Sequence, residues 1–243
     1  MSAHLKIVVI VRTRDEAHRI DPFCEAYRFA DAILVSDGGS TDHTVAIAQT
    51  YPNVLLRPFA ERTVLANGYW RNCDSDHVNF LIGAARELAP DWIILDDCDI
   101  RPNRLLREQA RDLLAADGDF AMAVRLYLWG TLQHFPHMAK PAAGHQVWEP
   151  SLWAWRGSVD FWTVNVPPAY TFRIGAVPVG DLHLAAKVLD LMPPYCLLHF
   201  SWDDPERTAR KIKVYRESGL IPAMAHPLDF AGPLEPLPDW ATE

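Results

Sequence analysis

The sequence predicts an α/β fold, with a mostly parallel, doubly wound central sheet covered by helices on both faces. Three observations predict it. Leu5-Lys6-Ile7-Val8-Val9-Ile10-Val11 is a nearly continuous apolar run, the pattern of a strand buried on both faces. Short apolar runs then alternate with segments of helical spacing as far as about residue 128. The run Asp91-Trp92-Ile93-Ile94-Leu95, flanked by Pro90 and Arg101-Pro102, leads straight into Asp97-Cys98-Asp99, as a central strand does where it leaves a sheet.

In chain order, the Leu5 strand is followed by a helix from about Asp21 to Phe29, with Pro22 at its first position. Ala32-Ile33-Leu34-Val35 is the second strand, Thr41 to Thr50 a helix, and Asn53-Val54-Leu55-Leu56 the third strand. Val78 to Leu88 carries apolar residues at helical spacing and leads into the Asp91 strand. A further helix begins near Pro102, turns Leu105, Leu106, Leu113 and Leu114 inward, and stops at Asp117-Gly118. Residues 129–170 are rich in Trp, Pro and His and show no clean period. Regularity returns with a helix from Asp181 to Leu189 and a strand Tyr195-Cys196-Leu197-Leu198-His199-Phe200. Asp204-Pro205 then caps a basic helix running to about Ser218-Gly219. A proline-rich tail from Pro222 is expected to lie extended on the body.

A chain of 243 residues is long enough to bury a sizeable core as one domain without staples. Its net charge of −8 argues against a nucleic-acid-binding surface. No stretch reaches the ~20 apolar residues of a membrane span. The amino terminus runs directly into a strand, so no signal peptide is expected. Cys24, Cys73, Cys98 and Cys196 are scattered without a paired motif and read as reduced thiols of a cytoplasmic protein.

Two carboxylates spaced i, i+2 at the end of a buried strand can hold a hard divalent cation without filling its shell. Asp97 and Asp99 are placed this way, and His199, ending another apolar strand, is the further donor such a half-filled site needs. Asp37-Gly38-Gly39-Ser40-Thr41-Asp42 follows the second strand and opens a helix. Its glycines permit close approach of a ligand, and the helix start offers amide donors; a plain capped βα turn accounts for the same residues. Arg12-Thr13-Arg14 leaves strand one at the same edge.

Together these segments resemble family 2 glycosyltransferases of the GT-A fold, over nearly the whole chain. Thr13-Arg14-Asp15-Glu16 is similar to that family's Thr-x-Asn-Glu segment, with Asp15 for Asn. The Asp37–Asp42 turn is similar to its Asp-Asp-Gly-Ser-Thr-Asp, with Gly38 for the second Asp. Asn79, Asp91-Trp92 and Asp97-Cys98-Asp99 follow the family's order up to its metal-binding Asp-x-Asp. Gly180-Asp181-Leu182-His183-Leu184-Ala185-Ala186-Lys187 is similar to its Glu-Asp-x-Asp-Leu-x-x-Arg segment, with Gly180, His183 and Lys187 as departures. Leu198-His199-Phe200-Ser201-Trp202 with Pro205-Glu206-Arg207 and Lys211 resembles the ending of one bacterial subgroup.

The resemblance implies transfer of a sugar from a nucleotide-diphosphate donor, a UDP-sugar, to an acceptor hydroxyl, with inversion and with Mn²⁺ or Mg²⁺. Asp99 and His199 would hold the ion, and Asp97 would reach the ribose or a metal-bound water. Thr13, Arg14 and Asp37 would hold the nucleotide, Asp37 by accepting from the uracil ring N–H. Arg207 and Lys211, i, i+4 neighbours on one helix face, would meet the diphosphate; a solvated basic stripe is the plainer reading and suits Arg210 and Lys213. Asp181 would be the general base, although it also suits a helix N-cap, with Asp160 and Glu149 as rivals. Trp148, Trp153 and Trp155 would include at least one acceptor-lining ring, with Glu149 and His145 available to hydroxyls, although any one Trp also suits a small core. The implied division is a nucleotide-sugar half over 1–128, an acceptor-side half over 129–221 and the tail over 222–243. A noncatalytic or degenerate nucleotide-sugar-binding protein is the alternative. A sugar nucleotidyltransferase would want a glycine-rich loop after strand one, which Arg12-Thr13-Arg14-Asp15-Glu16 does not supply.

Overall fold

The computed structural model describes residues 4–59, 63–64, 70–71, 74–129, 134–136, 149–166, 169–174, 177–178, 182–202, 204, 206, 209, 213, 234–237 and 239–241. The first half runs β1 (Ile7–Thr13), α1 (Ala17–Ala26), β2 (Ala32–Asp37), α2 (Thr44–Ala48), β3 (Val54–Leu56), the short β4 (Thr63–Val64) and β5 (Trp70–Arg71), then α3 (Asp74–Arg86). There follow β6 (Trp92–Leu95), β7 (Ile100–Pro102), α4 (Arg104–Leu114) and β8 (Phe120–Trp129). The second half adds β9 (His134–Pro136), β10 (Glu149–Arg156), β11 (Phe161–Val166), β12 (Ala169–Ile174), β13 (Val177–Pro178), α5 (Leu182–Ala185), β14 (Val188–Trp202) and β15 (Leu234–Pro236).

Eight strands form one sheet in the order β3-β2-β1-β6-β10-β8-β14-β7. Strands β3, β2, β1 and β6 are parallel, β10 is antiparallel to both its neighbours, β14 is parallel to β8, and β7 closes the edge antiparallel to β14. The carboxyl ends of β1, β2, β6, β8 and β14 therefore share one edge, joined there by the amino end of β10.

Alternation along the strands builds two cores. Ile7, Val9 and Val11 face Ile20 and Phe23 of α1, Tyr27 just after it, and Leu106, Ala110 and Leu114 of α4. Val8, Ile10 and Leu34 face Val78, Leu81, Ile82 and Ala85 of α3, with Phe120, Trp155 and Phe161 beside them. Asn79 fastens α3 to β11 as a strand partner would, donating to the Thr163 carbonyl at 2.8 Å and accepting its amide at 2.8 Å. Among the described residues no helix is long and apolar enough to cross a membrane.

Four elements differ from the sequence expectation. The first helix begins at Ala17, so Pro22 lies inside it. Its opening amides are capped from the β2–α2 turn: Glu16 donates to Thr44 Oγ1 at 2.8 Å and Ala17 to Asp42 Oδ2 at 3.1 Å. Residues 25–28 positions away supply the cap, which local spacing cannot show. The second helix starts at Thr44, whose amide donates to Asp42 Oδ1 at 2.9 Å. The helix expected to reach Leu189 ends at Ala185, and β14 starts at Val188, where it pairs with Phe120. The stretch after Trp129 contains a hairpin, β11 with β12, in which Trp162 faces Arg173.

Candidate active site

The carboxyl edge gathers most of the described candidate residues. Strand β1 delivers Arg12 and Thr13, and β2 delivers Asp37, paired in register with Thr13. Both Asp37 oxygens serve the turn that follows: Oδ2 accepts the amides of Gly39 and Ser40 at 2.8 and 2.9 Å, and Oδ1 accepts the Ser40 hydroxyl. Gly39 has φ 86, which a side chain would strain. The Gly38 amide donates to the Thr13 carbonyl at 2.8 Å, so the two strand ends are tied together. Thr13 itself is buried, and Arg14 lies 3.4 Å from Asp15. A uracil N–H would share Asp37 Oδ1 with Ser40.

The Asp-x-Asp segment follows β6. Asp97 is exposed and accepts from Arg12 at 3.2 Å. Asp99 is half-buried, and its Oδ2 lies 3.6 Å from His199 Nε2 and 3.9 Å from the buried Arg19 guanidinium. Strand pairing explains the meeting of residues so far apart in sequence. Strand β7 places Ile100 opposite His199, and the Phe200 amide donates to the Asp99 carbonyl at 2.7 Å.

The carboxylate and imidazole are hard and borderline donors that suit Mn²⁺ or Mg²⁺. Among the described residues no group of three or more His, Cys, Asp or Glu forms a ready-made metal site. The fit is therefore to an ion that keeps several positions for substrate oxygens and water, which is how Mg²⁺ is held at phosphate sites. Arg12 and Arg19 temper the negative charge at the same carboxylates.

Asp96 is a residue that the sequence reading passed over. It is 2 % exposed and accepts from the Tyr27 hydroxyl. Burial pushes its pKa up to about 8, against the Arg125 charge and the Tyr27 hydrogen bond and with Asp97 and Asp99 adding to the rise. The signal available was its position, the first carboxylate after the apolar run. Near the end of β2, buried His77 of α3 meets Ser36 Oγ at 2.5 Å and stacks on Phe59 with centroids 4.4 Å apart. Burial, helped by the charge of Arg12, lowers the His77 pKa to about 4.

The residues expected on an acceptor side divide. Trp153 and Trp155 are fully buried, Trp153 beneath β6 with α1 and α4, and Trp155 against Phe161 at 4.7 Å. Their rings pack cores and offer no face to an acceptor. Glu149 opens β10 at the carboxyl edge, opposite Arg125. Asp160 lies at the other edge: β10 ends there, where the Gly157 amide donates to the Asp91 carbonyl at 3.0 Å. That separation removes Asp160 as a rival base. Asp181, Trp148, His145, Arg207 and Lys211 lie outside the described residues. Next to them, Leu182 starts α5, Glu206, Ala209 and Lys213 are helical, and Asp204 accepts the Glu206 amide at 2.9 Å.

The architecture is shared with TarS 1-349 from S. aureus, at a TM-score of 0.50 and 14 % identity over 93 % of this chain and 68 % of that one. The chain has the GT-A fold. Weaker likeness extends to mannosyl-3-phosphoglycerate synthase from Rubrobacter xylanophilus, with a TM-score of 0.46 and 12 % identity over 90 % of this chain and 77 % of that one. It extends also to glucosyl-3-phosphoglycerate synthase from Mycobacterium tuberculosis in complex with Mn²⁺, UDP and glucosyl-3-phosphoglycerate. There the TM-score is 0.37 and identity 20 %, over 52 % of this chain and 45 % of that one. No sequence-family profile matches the chain, and no curated protein matches it.

Proposed function

We propose that the chain is an inverting glycosyltransferase that moves a sugar from a nucleotide-diphosphate donor, a UDP-sugar, to an acceptor hydroxyl with Mn²⁺ or Mg²⁺. The observation that carries this reading is the meeting of Asp99 and His199 at 3.6 Å, beside Asp97 and the Asp37 turn. Residues from four strand ends converge where open α/β sheets bind ligands.

Asp37 accepts the ring N–H of the base, and Thr13 and Arg14 flank it. Asp99 and His199 would hold the ion, and Asp97 would reach the ribose or a metal-bound water. The ion, when bound, offsets the charge that develops on the leaving diphosphate. Arg207 and Lys211 add cations to the same group. Asp181 takes the proton from the acceptor hydroxyl as its oxygen bonds to the anomeric carbon, and the bond from that carbon to the diphosphate oxygen breaks on the opposite face. A single displacement of this kind inverts the anomeric centre. Trp148 and Glu149 line the acceptor side.

The test is turnover of Asp181→Asn, which keeps size but loses the proton-accepting charge. Donor binding is expected to stay unchanged while turnover falls by at least ~10²-fold. Normal turnover would move the base to Glu149, the remaining carboxylate candidate at the correct edge. A product that retains the donor's anomeric configuration would contradict the single displacement itself. No sugar transfer or release from any nucleotide sugar, with or without EDTA, would favour a noncatalytic binding protein.

A further inference from the structure

Arg19 stands in the first turn of α1 and is 5 % exposed, a placing that an arginine takes only with partners. Its charged partners are acids. Nη1 lies 3.9 Å from Asp99 Oδ2, the same oxygen that His199 Nε2 approaches at 3.6 Å, and Nε lies 3.9 Å from Glu16 Oε2. Nε also donates to His18 Nε2 at 3.0 Å. The start of α1 is pinned by Thr44 and Asp42 through the Glu16 and Ala17 amides, which fixes where the guanidinium sits. Asp97 has an arginine of its own, Arg12 at 3.2 Å. Each carboxylate of the Asp-x-Asp segment thus has a counter-ion supplied by the chain.

We propose that Arg19 is a positioning residue that holds Asp99 as its counter-ion, so that the site takes a divalent ion together with a diphosphate and disfavours the ion alone. The inference deepens the donor reading above and rests on it. Charge is the first argument. A bare divalent cation that approaches Asp99 meets the positive charge of Arg19 at close range. The two side chains are 6 and 14 % exposed, so solvent and salt screen that repulsion little.

The chemistry of the diphosphate is the second argument. Its oxygens neutralise the ion, and the complex reaches Asp99 with no net positive charge for Arg19 to oppose. Geometry is the third. Arg19 and His199 both face Oδ2, so the carboxylate is oriented by two elements, α1 and β14, before any ligand meets it. A site with few protein donors of its own also suits an ion that completes its shell with phosphate oxygens.

Calorimetry tests this with two titrations, Mn²⁺ alone and UDP in Mn²⁺ or in EDTA, on wild type, Arg19→Gln and Arg19→Lys. Arg19→Gln keeps a hydrogen-bonding side chain and loses the charge. It is expected to bind Mn²⁺ alone at least about tenfold tighter than the wild type, and the gain in UDP affinity that Mn²⁺ gives should shrink by the same factor, since the coupling is reciprocal. Arg19→Lys keeps the charge and should bind Mn²⁺ alone as weakly as the wild type. Unchanged Mn²⁺ affinity in Arg19→Gln, whatever its melting point, would make Arg19 a structural pin and overturn the inference with the donor reading intact. Arg19→Lys behaving as Arg19→Gln would overturn it too. Should Arg19→Gln fail to fold, the wild type decides: Mn²⁺ bound as tightly without UDP as with it overturns the inference, and a large gain with UDP upholds it. If UDP with Mn²⁺ does not bind the wild type, the donor reading fails and this inference fails with it.

Discussion

At the amino-terminal end of the strands, Arg111 of α4 donates to the carbonyls of Leu5 and Phe29 and to Asp31 at 2.5, 2.7 and 3.0 Å. Asp31 also accepts the Ile7 amide at 2.8 Å and meets His4 at 2.7 Å, while Asp91 accepts the Lys6 amide at 2.7 Å. Burial opposes ionisation of Asp31, but these hydrogen bonds outweigh it and lower its pKa. At the carboxyl end, Asp99 lies 3.6 Å from His199, and among the described residues Asp96 Oδ1 and Arg125 Nε have no hydrogen-bond partner. One edge closes its charges on itself and the other leaves capacity for a ligand. The difference separates polar groups that hold the fold from polar groups that we propose serve a substrate.

If that division holds, substitutions at the two edges should affect different measurements. Arg111→Ala removes donors from two carbonyls and a carboxylate, and a loss of about 1–3 kcal/mol of stability is expected, with nucleotide affinity unchanged. Thermal melting beside calorimetry checks both halves of the statement. Weakened nucleotide binding with an unchanged melting point would break the comparison.

Asp37→Ala should weaken UDP by at most ~1–3 kcal/mol, since a ring N–H loses its acceptor. The Gly39–Ser40 turn loses the same carboxylate, so a moderate stability loss accompanies it. A clear preference of the wild type for GDP or dTDP over UDP would show that the base assignment is wrong.

The apolar strands β1, β2 and β6 were legible because burial on both faces leaves continuous hydrophobic runs in the sequence. Strand β8 was not, because Arg125 interrupts its run, and β10 to β12 hide in a Trp- and Pro-rich stretch where antiparallel pairing gives no long apolar signature. The first helix start was misplaced because Thr44 and Asp42 cap it from another turn. The placement of Asp37, Asp97, Asp99 and His199 at one edge of the sheet was legible from where apolar runs end. Trp153 and Trp155, two of the three rings of which at least one was expected to line an acceptor groove, are core residues, since sequence shows a ring's presence but not the packing around it. Asp96 was overlooked because only its burial and its shared cavity with Arg125 distinguish it from its neighbours.

A further expected effect is a pH dependence. His77 has a folded pKa lowered to about 4 from 6.5, so the folded state binds fewer protons than the unfolded state between those values. The stability it contributes is present above pH ~6.5 and is lost as pH falls towards ~4. In His77→Gln, melting points measured over that range should fall less steeply than in the wild type. An identical slope in both proteins would place the titration elsewhere.

The central claim, that the carboxyl edge is a donor site assembled by Asp99 and His199, is tested most directly by calorimetry of UDP with Mn²⁺. Wild type, Asp99→Ala and His199→Ala are compared, each also titrated in EDTA and each checked by melting point. The account predicts that the wild type binds UDP far better with Mn²⁺ than in EDTA, and that each variant loses this gain while melting as the wild type does. Unchanged Mn²⁺–UDP affinity in both variants would contradict it.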